Sequence, residues 1–156
     1  MIYFYSPSGL RFSFEEMIGQ IMNYMTDQST ERYKIIIGTD SAEHSGIDFV
    51  SAVVVYHVGH GGRFFWKRIV ENKKYTLRQR IYQEALYSLK LAEELVHAFS
   101  HYSSCNFNFE IHVDIGNNGP TRELIQEITG MILGSGFQVK TKPESYGASN
   151  IADRYA

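Results

Sequence analysis

The apolar residues of this chain change their period once, near residue 75, and that change restricts the fold more than any other feature. From 34 to 70 the pattern is that of strands. Ile35, Ile36 and Ile37 form a buried run, Val53 and Val55 fall on one face of the next segment, and Val50, Ala52 and Val54 fall on the other. GHGG at 59–62 marks a turn, and RFFWKRIV returns as a third strand. A three-stranded antiparallel meander is predicted, its middle strand apolar on both faces and so central. From Tyr75 to Ser100 the spacing becomes helical through Leu77, Ile81, Ala85, Leu89, Ala92, Val96 and Phe99, with no proline or glycine inside.

The remaining segments alternate. FNFEIHVD at 107–114 reads as a strand with Phe107, Phe109, Ile111 and Val113 on one face and Glu110, His112 and Asp114 on the other. GNNGP breaks it, Pro120 opens a helix to about Leu133, and FQVKTK is a short strand. The closing PESYGASNIADRYA has one or two helical turns. Ahead of the meander, SFEEMIGQIMNYMT at 13–26 is an amphipathic helix whose Ser13 and Glu16 have capping-box spacing. The order after it is β-β-β-α-β-α-β-α. This predicts an α/β domain spanning residues 1–156: a mixed five-stranded sheet with helices on its faces and residues 1–30 as a helical extension packed on it. The first strand of the meander sits centrally, where the topology reverses, so the crevice at its carboxyl end is the expected ligand site.

A formal charge of −2 gives no global attraction to nucleic acid or to an anionic membrane. Cys105 is alone, which excludes an internal disulfide and argues against a cysteine zinc site. No segment approaches the ~20 apolar residues of a membrane span, and MIYFYSPSGL lacks the features of a signal peptide. A cytoplasmic protein is expected. Its oligomeric state is open, a homodimer through sheet edges or the first helix included.

Two acids stand at strand tips: Asp40 in GTDS and Asp114 in HVDIG. If their strands are parallel neighbours about 4.8 Å apart, the carboxylates emerge side by side and repel. A hard divalent cation, Mg²⁺ or Mn²⁺, resolves that conflict. Glu84 borders the buried stripe of the long helix near its start, and Asp153 lies in the closing segment. His112 shares the face of Asp114, either as a proton-transfer group or as an ordinary hydrogen-bonded strand histidine. Between 63 and 80 the chain concentrates its cations, among them Lys73, Lys74, Arg78 and Arg80, beside aromatic residues. That combination suits phosphates and stacked bases, although a plain solvated strand reads the same way.

The element order, together with IIIGTDS, HVDIGNNG and KPESYGASNIAD, resembles the ribonuclease H-like superfamily, most closely its small bacterial YkuK-like group. The resemblance extends over the whole chain. It implies that Asp40, Glu84, Asp114 and Asp153 are ligands of one or two Mg²⁺ or Mn²⁺ ions, and it implies hydrolysis of nucleic-acid phosphodiester bonds (RNA, DNA or hybrid) by a two-metal mechanism. The alternative is a non-catalytic nucleic-acid-binding or protein-interaction module that keeps the fold.

Overall fold

The computed structural model describes residues 2–26, 33–57, 59, 61–101, 107–116, 122–142, 144–145 and 155. Two short strands, β1 (Phe4–Tyr5) and β2 (Arg11–Phe12), precede helix α1 (Phe14–Thr26). The meander follows as β3 (Tyr33–Glu43), β4 (Ile47–His57) and β5 (Gly61–Glu71). Next come α2 (Leu77–Phe99), β6 (Phe107–His112), a 3-10 turn (Arg122–Leu124) leading into α3 (Ile125–Gly134), and β7 (Gln138–Lys140). They form one mixed seven-stranded sheet in the order β2-β1-β5-β4-β3-β6-β7.

The expectation of five strands is thereby corrected. The β1–β2 hairpin adds two at the β5 edge, where Tyr5 pairs with Trp66. Strands of two residues are too short to show a period, and their turn, Ser6 to Gly9 with Gly9 at φ 87, is marked only by a short Pro-Ser-Gly run. Residues 1–30 are therefore not a purely helical extension. Of the closing segment where helical turns were expected, only Glu144, Ser145 and Tyr155 are among the described residues, Glu144 in a turn and Tyr155 helical.

Face by face, the period-two pattern is realised. Ile35, Ile37, Val53, Val55, Ile111 and Val113 join the buried faces of the three helices in one core. Ile36, Val50 and Ala52 form a smaller cluster on the opposite face, with Val54, Trp66 and Tyr155 against it. There Trp66 stacks on both Tyr5 (5.0 Å between centroids) and Tyr155 (4.5 Å), and the Arg68 guanidinium donates to the Tyr155 carbonyl.

Helix α1 starts at its capping box: Glu16 N donates to Ser13 Oγ (3.1 Å) and Ser13 N to Glu16 Oε1 (2.8 Å). Helix α2 repeats the device with Thr76 and Gln79. Its buried stripe runs through Ile81, Ala85, Ser88, Leu89, Leu91, Ala92, Leu95 and Phe99, whereas Leu77 and Val96, expected on it, are exposed. A fully buried polar contact ties the middle of α2 to the sheet. Thr39 of β3, 3% exposed, bonds through its hydroxyl to Ser88 of α2 (2.7 Å) and to Ser51 of β4 (2.8 Å). All three hydroxyls are buried, and a buried hydroxyl that loses its partner bears its full desolvation cost.

Thr39→Val keeps the shape and removes the shared partner of both serines. We predict a loss of about 1–3 kcal/mol in unfolding free energy, read by urea denaturation. A variant as stable as the wild type would show that this contact does not secure α2.

Candidate metal centre at the tips of β3 and β6

β3 and β6 run parallel in continuous register, from Tyr33↔Phe107 to Gly38↔His112. The same offset carried two residues further sets Asp114 level with Asp40. Asp40 is half-buried and not at the end of its strand, as the sequence suggested: β3 continues to Glu43, paired with β4. It is instead the parallel partner that stops, so Asp40 lies just beyond the β3–β6 ladder. Asp114 follows β6 by two residues, with its side chain 40% exposed.

Glu84 arrives from α2. Ser41 Oγ donates to its Oε2 at 2.5 Å. Arg80, one turn earlier on α2, donates from Nε to Ser41 Oγ (3.1 Å) and from Nη2 to the Ser41 carbonyl (3.0 Å). Burial pushes the Glu84 carboxyl up to about 8; Asp40 and Asp114 push the same way, against the Ser41 hydrogen bond and the Arg80 charge. The three acids therefore share one electrostatic field, although Glu84 comes from the helix-covered face.

Lys142 supplies a compensating charge, its Nζ 2.9 Å from Asp114 Oδ1. Asp114 raises the lysine ammonium above its ordinary value, and Asp40 adds to the effect. Glu84 and Asp114 also line a crevice of about 10 Å³ with Thr39, Ser88 and His112. That is close to the smallest space that admits one water.

These groups fit a hard divalent cation by donor chemistry: carboxylate oxygens, an excess of negative charge, and an ammonium already standing in as cation. They are not a finished cage. Among the described residues, no three carboxylate, imidazole or thiol groups are grouped so as to hold one ion. Asp153 lies outside the described residues.

Of the other candidates, His112 lines the same crevice as Glu84 and Asp114. His112 Nε2 lies 2.8 Å from Glu110 Oε1, and Glu110 also meets Lys34 Nζ at 3.2 Å. Burial holds the His112 imidazole below its ordinary value despite Glu110. This is the geometry of a hydrogen-bonded strand histidine. Arg80 is engaged by Ser41 and lies 3.8 Å from Glu43, so it supports the acid site and does not stand among the outward cations where sequence reasoning put it. Lys73, Lys74 and Arg78 instead line a groove of about 460 Å³ with Tyr75, Tyr82 and Leu86. Arg78 is paired with Glu127 at 2.9 Å.

Sequence reasoning missed Lys142, Ser41 and Glu110. Ser41 had a signal, since it follows Thr39 by two on the α2 face. Lys142 had one only through register: Lys140 pairs with His112, which carries Lys142 toward Asp114.

The Glu84 shift has a consequence for stability. Its folded value is raised above the ordinary 4.5, so folding takes up a proton. The stabilisation is complete below about pH 4.5 and is lost as pH rises through about 8. In EDTA, the wild type should lose up to a few kcal/mol relative to Glu84→Gln between pH 5 and 9. Parallel pH–stability curves in chemical denaturation would contradict a protonated Glu84.

No helix among the described residues is long and apolar enough to cross a membrane. A family profile described as Ribonuclease H-like matches residues 16–156. The chain is also similar to the uncharacterized protein YkuK of Bacillus subtilis (strain 168), with 29% identity over 167 aligned positions that cover 97% of this chain and 95% of the other. The profile match takes in most of the chain, and an antiparallel meander continued by two parallel pairs agrees with it: the chain belongs to the ribonuclease H-like family.

Proposed function

We propose that this protein is a divalent-metal-dependent nuclease or related phosphodiesterase. The observation that carries the reading is the shared field of Asp40, Glu84 and Asp114 at the tips of a parallel strand pair, in a chain of ribonuclease H-like family. These three, with Asp153 as the fourth acid by family resemblance, would hold one or two Mg²⁺ or Mn²⁺ ions, which supply a more acidic water and neutralise charge on a phosphodiester.

The chain's own residues have definable parts in this. Asp40 is held by main-chain pairing on β3, so its position does not depend on loop order. Ser41 and Arg80 orient Glu84 from one side and offset its charge once it ionises. The groove beside the first turns of α2 provides the substrate track. Lys73 and Lys74 meet phosphates there, and the half-buried rings of Tyr75 and Tyr82 offer flat surfaces to a base. A nucleic acid crossing both features needs a flexible backbone, because the groove and the acids lie on different sides of α2.

The second reading, a non-catalytic nucleic-acid-binding module, is favoured by the absence of a ready three-ligand group among the described residues. The same groove serves it, so binding alone does not separate the two.

Cleavage does. With Mn²⁺ or Mg²⁺ and a panel of single-stranded, duplex, hybrid and junction substrates, we predict hydrolysis by the wild type. Asp40→Asn and Asp114→Asn should each lower it by roughly 100-fold or more. No hydrolysis of any substrate, or unimpaired variants, would leave only the binding reading. Lys73→Ala with Lys74→Ala should weaken binding across sequences and lower the salt slope by about one per lysine, as measured by fluorescence anisotropy at several salt concentrations.

A further inference from the structure

Lys142 reaches the acids from the opposite side to Glu84, and the main chain is built to bring it there. Past the end of β7, Val113 N donates to the Lys140 carbonyl (3.0 Å) and Lys142 N to the Ile115 carbonyl (2.8 Å). Residues 140–142 are thus tied to 113–115 beyond the regular ladder. The Thr141 carbonyl then accepts from Glu144 N (2.8 Å) and Ser145 N (3.0 Å), closing a turn directly after the lysine. Gly116 lets the lysine stem pass close, since a Cβ on it would lie only 3.0 Å from Lys142 Cβ. With stem and backbone held, the ammonium meets Asp114 Oδ1 at 2.9 Å, within the field of Asp40.

We propose that Lys142 is the resident counter-ion of this site: its ammonium holds the Asp114 carboxylate and must release it before a divalent cation can take the same oxygen. The inference rests on the reading of these carboxylates as metal ligands and adds a competitor to it. A lysine is a compact single charge with three hydrogen-bond donors, sufficient to quiet one carboxylate but not to draw several into a cage. Lys142 therefore sets the ion concentration at which the site fills. It is a positioning residue, acting through Asp114. The sign of its effect is diagnostic. Loss of a merely structural lysine weakens or spares ion binding, whereas loss of a competitor strengthens it.

The test is Mn²⁺ binding to the full chain, by titration calorimetry and by the electron paramagnetic resonance of free Mn²⁺. Lys142→Met should bind roughly two- to fivefold more tightly than the wild type, the range expected for an exposed ion pair. Lys142→Arg, which keeps the charge, should stay near the wild type, and Asp114→Asn should lose affinity. The Lys142 side chain is 59% exposed, so the variants should fold; melting in EDTA checks this, and Lys142→Gln serves as a second neutral variant. Equal or weaker affinity in the neutral variants, or an arginine variant that tightens like them, overturns the counter-ion role alone. Failure of wild type and neutral variants to bind Mn²⁺ at all, or binding indifferent to Asp114→Asn, overturns the metal reading and this inference with it.

Discussion

The parallel pairing of β3 with β6 is the constraint on which the rest of the molecule depends. An antiparallel arrangement would send Asp40 and Asp114 to opposite ends of the sheet. Parallel pairing instead requires the chain to cross over between β5 and β6, and a crossover of that length is made by a helix packed on the sheet. That helix is α2, and Glu84 reaches the strand tips because α2 must return over the same face. The Thr39–Ser88 contact then fixes its height. A single pairing choice thus brings Asp40 and Asp114 within the electrostatic reach of Glu84.

Bringing like charges together has a cost, and the structure meets it in two ways. Glu84 is driven toward its neutral form by burial, and Asp114 is matched by Lys142. Neither device requires a closed cavity. Arg80 adds a fixed charge behind Ser41 that opposes the upward push on Glu84. Repulsion among the acids is thus lowered by burial of Glu84 and by the Lys142 charge beside Asp114.

The fold was legible where residues repeat. The meander, α2 and the two-faced character of β4 follow from periods of two and 3.6 that burial enforces. Asp40 and Asp114 were legible as a pair because topology, not local sequence, makes their strands neighbours. Two-residue strands left no period, so the β1–β2 hairpin was not legible. Lys142 was hidden for a different reason: its importance lies in a register two residues past a short strand, and a lysine in KTK looks like any solvated cation. Arg80 was misplaced because a run of cations does not reveal which of them faces inward. Direction around a helix had to be resolved to one residue, and only the contact with Ser41 resolves it.

The aromatic stack on β5 has a consequence of its own. Tyr5 and Tyr155, far apart in sequence, are both gathered by Trp66, the single tryptophan of the chain. Such a contact closes a very long loop and is rewarded only after the intervening sheet exists. Trp66 is therefore a natural optical gauge of completion. Its emission senses whether Tyr5 and Tyr155 have both docked on it, and it does so without an added label.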